Sequence, residues 1–239
     1  VVGPFGQKIG THTTDAYEID QILIDAWADV YEGNAASHDD LVNAFKGKCG
    51  HLFYMRKKDC KQEKFKLYPL KGTDIKATCK EAKLSAAGLD QWATQDFSIL
   101  ADEAYEWLAK LFNEIEPGAL WPEPTLHAKC AYLLKHPDGK GDPLCYRVLL
   151  VISVVYRRWA ATRLRQCNEW IGEWATSDMF AGIEGMSAEE AWYPTALHLE
   201  RARLHGKPAT GASVDIHKCF DQLVRELLYE ILKEAGCPD

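Results

Sequence analysis

The spacing of apolar residues along the chain predicts a mostly helical protein. In several long stretches apolar residues recur every three or four positions, the spacing that places side chains on one face of an α-helix. The segments predicted to be helical on this ground are 15–32, 37–45, 97–115, 149–170, 187–204 and 221–236. A Ser with an acidic residue three positions later opens two of them, at Ser37 and Ser187, and Pro117 ends the third.

Strands are predicted at only two places. Residues 128–134 form a short apolar run followed by a turn rich in Pro, Asp and Gly, and residues 212–217 alternate between apolar and polar. Such an alternating strand would direct Asp215 away from its apolar face. The stretch around Phe65 alternates only weakly, so short strands or a loop are expected there. Together these patterns indicate an α+β, mostly helical fold.

Composition narrows the class of protein. The chain has 239 residues, 47% of them hydrophobic, which suits a well-packed globular core. Its longest apolar stretch, 148–155, is far shorter than the roughly 20 residues that span a membrane, and no signal-like segment opens it. We therefore expect an intracellular protein of the nucleus or cytoplasm, without a membrane partner.

The eight cysteines are spread at wide and irregular intervals, which is typical of free thiols in an intracellular protein. One local group leaves a zinc site open as an alternative, although its spacing is unusual for such a site. Its members are Cys49, His51, Cys60 and Cys79.

The net charge of −7 hides an uneven distribution. Residues 46–83 contain twelve Lys or Arg but only four Asp or Glu, so one basic segment accompanies an acidic remainder. Binding to phosphate is driven by Lys and Arg, whereas a charge run on a protein surface is often only solvated. The sequence leaves both roles open for this segment.

The segment with the clearest chemistry reads Asp-Ile-His-Lys-Cys-Phe-Asp, from Asp215 to Asp221. It resembles the first palm motif of reverse transcriptases, in which an apolar strand is followed by Asp, two variable residues, Lys, a small residue, an aromatic residue and Asp. Nucleotidyl transfer uses divalent metals held by carboxylates at a rigid strand end. The resemblance implies that Asp215 is catalytic and binds metal, with the backbone carbonyl of Ile216. It also implies that Phe220 lies beneath the incoming sugar and excludes a ribose 2′-hydroxyl.

A second stretch, residues 132–159, resembles the fingers motif of LINE-type, or non-LTR, reverse transcriptases. Lys135 and Arg147 match its two basic positions, although Val148 and Leu149 replace the usual Pro-Ile. The resemblance implies that both cations bind the triphosphate, Arg through a forked contact and Lys as a point charge. Three further segments resemble the same family more weakly and stand in the order that the family shows. They are residues 85–92, 116–122 and 180–192.

Taken together, these motifs imply the fingers and partial palm of a right-hand polymerase over residues 85–239. Residues 1–84 carry no motif that can be matched and form a separate N-terminal helical and basic region. The implied activity is RNA-directed DNA synthesis with Mg²⁺ or Mn²⁺. The implied partners are an RNA template, a DNA primer and deoxynucleoside triphosphates.

The family's other metal carboxylates lie in an aromatic-x-Asp-Asp segment downstream of the first motif. The only Asp-Asp here is Asp39-Asp40, which precedes that motif. We therefore expect the chain to be a fragment without the rest of the palm and the thumb. A lone Asp215 should bind Mg²⁺ weakly, so the isolated chain should be inactive as a polymerase.

Two alternatives remain open. One is a non-catalytic retroelement relic that binds nucleic acid or protein. The other is an RNA-dependent RNA polymerase fragment, since such enzymes also pair two carboxylates at the spacing of Asp215 and Asp221. The aromatic residue at Phe220 and the Tyr-Arg segment favour the deoxynucleotide enzyme.

Overall fold

The computed structural model describes residues 13–32, 38–59, 65, 67–139, 141–216 and 218–237. The helices before the sheet are α1 (Ala16–Glu32), α2 (His38–Asp59), α3 (Gly72–Lys80), α4 (Thr94–Ser98), α5 (Asp102–Ile115) and α6 (Glu123–Leu126). The antiparallel hairpin consists of β1 (Lys129–Leu134) and β2 (Tyr146–Val151). The helices after it are α7 (Val154–Trp174), α8 (Ala188–Leu204) and α9 (Arg225–Glu234). The predicted mostly helical α+β class is confirmed.

The core lies where α3, α5 and α7 pack together, with α4 at its side. Ile75, Phe112 and Val154, one from each of the three helices, are completely buried. At Gly72 the first turn of α3 approaches α5 so closely that a Cβ would lie 2.8 Å from the backbone nitrogen of Glu106. Any larger residue would therefore push these two helices apart.

An ion pair at the end of α5 joins it to α7. The Glu116 carboxylate accepts hydrogen bonds from the Arg163 guanidinium and from Nε1 of Trp159, the latter at 2.7 Å. Arg163 also donates to the backbone carbonyl of Tyr68 at 2.6 Å. Burial raises the pKa of Glu116, but the hydrogen bonds and charge of Arg163 and the bond from Trp159 outweigh it and leave that pKa lowered.

Several predicted elements are confirmed with their boundaries. Helix α1 buries Leu23 and Trp27 from the predicted stripe, and β1 covers the predicted strand to within a residue. At the start of α8 the Ser187 hydroxyl accepts the Glu189 N–H, and the Glu190 carboxylate accepts the Ser187 N–H. Serine and acid therefore form the capping box that their spacing predicted.

Two predicted helices are divided in the structure. The 97–115 segment breaks after Ser98, and α5 begins anew at Asp102, where two consecutive acidic residues favour a helix N-terminus. In the 149–170 segment the first three residues belong to β2, because they pair with β1. Helix α7 then starts after Ser153, whose hydroxyl accepts the Val155 N–H at 3.1 Å.

The basic segment is more helical than expected. Helix α2 continues beyond Phe45 to Asp59 despite the weak helix formers Gly47 and Gly50, and α3 follows within the same basic segment. Around Phe65 the described residues form neither helix nor strand, in agreement with the loop alternative. The division of the chain at residue 84 rests on motifs and stays a prediction. In packing, α3 on one side of that position shares the core with α5 and α7 on the other.

The predicted strand at 212–217 is wrong over the residues described there. Residues 207–216 form neither helix nor strand, and Val214 is 86% exposed. A strand needs a neighbouring strand to satisfy its backbone, and the alternating pattern says nothing about whether one exists. The last helix also begins later than Asp221, at Arg225, although Gly236 ends it with a positive φ as predicted.

Candidate functional site

The β1–β2 hairpin presents its two predicted phosphate-binding cations on one face. Arg147 lies directly opposite Leu133 in the ladder, and the Lys135 N–H extends the ladder by donating to the Cys145 carbonyl at 3.0 Å. Because side chains alternate along a strand, Lys135 lies on the same face as Leu133 and therefore as Arg147. Both cations are exposed to solvent.

The tip of the hairpin is anchored to α1. Nε1 of Trp27 donates to the Pro143 carbonyl at 3.2 Å, and Trp27 itself is almost fully buried. Within the tip, Asp142 accepts the Leu144 N–H at 2.9 Å and the Cys145 thiol at 3.2 Å. The hydrogen bond to Asp142 and burial raise the pKa of that thiol. These contacts hold residues 142–145 of the tip together and attach them to α1.

Lys218 brings the 215–221 segment against this anchored hairpin. Its ammonium lies 3.6 Å from the centre of the Trp27 ring, within the range of a cation–π interaction. The same ammonium is shielded from solvent without a hydrogen-bond partner among the described residues. Burial lowers the pKa of Lys218, the neighbouring Lys135 lowers it further, and Asp221 and Asp142 oppose the shift. Two cations from distant parts of the sequence therefore lie close enough to repel each other.

The backbone at Lys218 is unusual as well. Its φ of 48° lies in the left-handed region, which lysine rarely adopts because its Cβ approaches the following carbonyl. Burial and the charge of Asp221, which follows in the same turn, raise the pKa of Tyr31 on α1. The contact of Lys218 with Trp27 thus attaches the 218–221 turn to α1, although the turn pairs with no strand among the described residues.

The predicted metal ligand, Asp215, does not have the surroundings that the motif implies. Asp215 is exposed in a segment that is neither helix nor strand, not at the edge of a sheet, and it makes no ion pair with Lys135 or Arg147. In the part of the chain that the structure describes, no three His, Cys, Asp or Glu side chains converge on a possible metal position. Among the described residues, to which His217 does not belong, none joins Asp215 in a group that could hold a metal ion. Phe220, the predicted sugar gate, is 93% exposed.

Of the possible zinc ligands, those in the described residues do not come together in a group of three. Cys79 is buried in the core beside Ile75, and Cys49 lies on α2. Cys60 lies outside the described residues.

One of the weaker family-like segments, at 85–92, is fixed directly to α7. The Arg157 guanidinium donates to the Ser85 hydroxyl at 2.8 Å and to the Ala86 carbonyl at 2.9 Å. At Gly88 a Cβ would lie 3.1 Å from the Ile152 carbonyl oxygen. This segment therefore packs against the end of β2 and the start of α7, close behind the hairpin.

Sequence reasoning missed the roles of Lys218 and Trp27. Lys218 occupies the lysine position of the palm-like motif, so the motif itself contained a usable signal. The helical spacing places Trp27 only on the apolar stripe of α1. Nothing in that spacing distinguishes a core tryptophan from one that also contacts a lysine.

Comparison with known proteins does not place the chain in a family. No protein-family model matches the chain, and no curated protein matches it. Among the helices of the described residues, none has the length and apolar character needed to cross a lipid bilayer.

Proposed function

We propose that the chain is the fingers and the beginning of the palm of an RNA-directed DNA polymerase of the non-LTR kind. The observation that carries the proposal is that Trp27 contacts both regions, the hairpin tip through the Pro143 carbonyl and the 215–221 segment through the Lys218 ammonium. Separate resemblances pointed to these two stretches, which are far apart in sequence. A polymerase needs them together, because one binds the triphosphate and the other supports the reacting end of the nucleotide.

The hairpin suits the first of these tasks. A nucleoside triphosphate carries several negative charges, which a forked guanidinium and an ammonium on one face can neutralise together. Lys135 and Arg147 share such a face and are both open to solvent. No step through a metal is assigned to this chain, because the described residues around Asp215 do not form a group that could hold a metal ion. Synthesis of DNA belongs to the parent protein, and the isolated chain is expected to bind nucleotide without polymerising it.

Binding of a deoxynucleoside triphosphate by purified chain tests the proposal, measured by calorimetric titration in the presence of Mg²⁺. Lys135→Gln and Arg147→Gln should each weaken binding about tenfold or more, since each removes charge-assisted hydrogen bonds. Lys129→Gln is the matched control, because Lys129 lies on the same face at the far end of β1. Absence of saturable binding, or equal weakening by Lys129→Gln, would contradict the proposal.

Phe220 supplies the test between deoxynucleotide and ribonucleotide enzymes. If its exposed ring lies beneath the sugar, Phe220→Val should improve binding of a ribonucleoside triphosphate while leaving the deoxynucleotide nearly unchanged. Equal binding of both nucleotides by the unmodified chain would favour the RNA-dependent RNA polymerase instead.

A second candidate is a relic that binds nucleic acid without catalysis, and the exposed, isolated Asp215 favours it. The basic 46–83 segment would then be the contact. Salt-dependent binding of RNA, weakening steeply as salt rises, together with no response to deoxynucleotide, is the result expected of that candidate.

A further inference from the structure

Helix α8 carries an apolar face that the rest of the described chain leaves uncovered. None of its seventeen residues is buried, and its large apolar side chains are exposed, with Trp192 at 68% and Leu199 at 55%. The other exposed apolar residues of α8 are Tyr193, Leu197 and Leu204. A helix of this kind normally buries its apolar face against another surface.

Two of the exposed residues, Trp192 and Leu199, lie on a line with the spacing of a coiled-coil seam, in a helix that continues through Pro194. Positions separated alternately by three and four residues face one partner helix along a shared line. In α8 these positions are Glu189, Trp192, Ala196, Leu199 and Arg203. The small Ala196 stands at the centre, with one large apolar residue on each side and a charge at each end. We refer to these five residues as the α8 seam.

The charges of the α8 seam identify its partner. In a parallel pair of identical helices, Glu189 would face Glu189 and Arg203 would face Arg203. In an antiparallel pair centred on Ala196, Glu189 of one copy lies opposite Arg203 of the other, twice over. The helix termini also carry the charges that their own dipole favours, acidic first and basic last, so antiparallel packing joins opposite charges at both ends of the contact.

We propose that α8 is the interface of an antiparallel, twofold-symmetric dimer of this chain, formed along the α8 seam. Trp192 and Leu199 supply the apolar contact, and Ala196 lets the two helices approach closely. The two Glu189–Arg203 pairs fix the orientation and make association weaker at high salt. This inference does not depend on the proposed function.

The test measures association by sedimentation velocity across the micromolar range, using full-length chain. The unmodified chain should dimerise, whereas Glu189→Arg and Arg203→Glu should each weaken association about tenfold or more, because each places like charges opposite one another at both ends. An equimolar mixture of the two variants should dimerise again, since every facing pair is then opposite in charge. Arg201→Glu is the matched control, because Arg201 lies on α8 outside the seam.

Three results would overturn the proposal. The unmodified chain could stay monomeric throughout the range, which would assign the apolar face to a different partner. Each single variant could dimerise as well as the unmodified chain. The unmodified chain could dimerise while the mixed variants do not, which would place the interface elsewhere. Circular dichroism on the same samples checks that every variant keeps its helical content.

Discussion

Phe112 and Phe220 have the same side chain in opposite surroundings. Phe112 lies fully enclosed between α3, α5 and α7, whereas Phe220 is 93% exposed beside the family-like motif. The core around Phe112 is held by many apolar contacts from helices that each present a continuous stripe. The segment around Phe220 is attached to α1 through the contact of Lys218 with the Trp27 ring. The structure of the first region is determined by repeated apolar spacing along its helices, whereas that of the second is determined by the contacts of single residues.

The largest expected effect is the difference in the free energy of unfolding between substitutions in these two regions. Phe112→Ala should lower the free energy of unfolding by about 4 kcal/mol, because it removes a buried ring and leaves a cavity. Phe220→Ala should change it by less than about 0.5 kcal/mol, because the ring has little apolar burial to lose. Equilibrium urea unfolding of both variants measures the difference. Similar losses would mean that Phe220 is buried in solution.

A smaller effect is expected at the ion pair that closes the core. Glu116→Gln should cost about 2 kcal/mol at neutral pH, because it weakens charged hydrogen bonds and leaves Arg163 without a counter-charge. The lowered pKa of Glu116 means that the unfolded state binds more protons, so this stabilisation is complete above the unfolded pKa and is lost as pH falls through the folded one.

Unfolding measured from neutral pH down to the acid range checks the sign. The difference between the unmodified chain and Glu116→Gln should shrink as pH falls below about 4, the ordinary range of a glutamate pKa. Glu114→Gln is the matched control on the same helix, because the Glu114 side chain is exposed. A difference that stays constant with pH would show that the charge of Glu116 contributes nothing.

The same contrast explains which parts of the fold the sequence could predict. Helices α1 and α8 and strand β1 were predictable because periodicity and a capping serine act within a short segment. The break at Ser98 and the transfer of Leu149 into β2 were not, because the first depends on competing helix starts and the second on pairing with a distant strand. The 212–217 strand failed for a related reason, since alternation predicts a strand only where a neighbour exists.

In the candidate site, too, local sequence rules and tertiary packing determine different features. The shared face of Lys135 and Arg147 follows from alternation along two paired strands, but the apolar spacing predicted only the first of these strands. The contact of Lys218 with Trp27 depends on how α1 packs across the hairpin, and no spacing in either segment encodes it. Local rules thus predict which residue types the site contains, whereas tertiary packing decides which of them meet.

The smallest expected effect concerns this contact. Trp27→Phe keeps an aromatic ring under Lys218 but removes the indole N–H that donates to the Pro143 carbonyl, so it should cost about 1 kcal/mol. Trp107→Phe is the matched control, since Lys110 also lies over the Trp107 ring, at 4.5 Å, but that tryptophan is 69% exposed. Its substitution should cost less than about 0.5 kcal/mol. Equal costs, measured by urea unfolding, would show that Trp27 does not anchor the hairpin. The motif segment would then lack the contact through Trp27 that joins Lys218 to the hairpin.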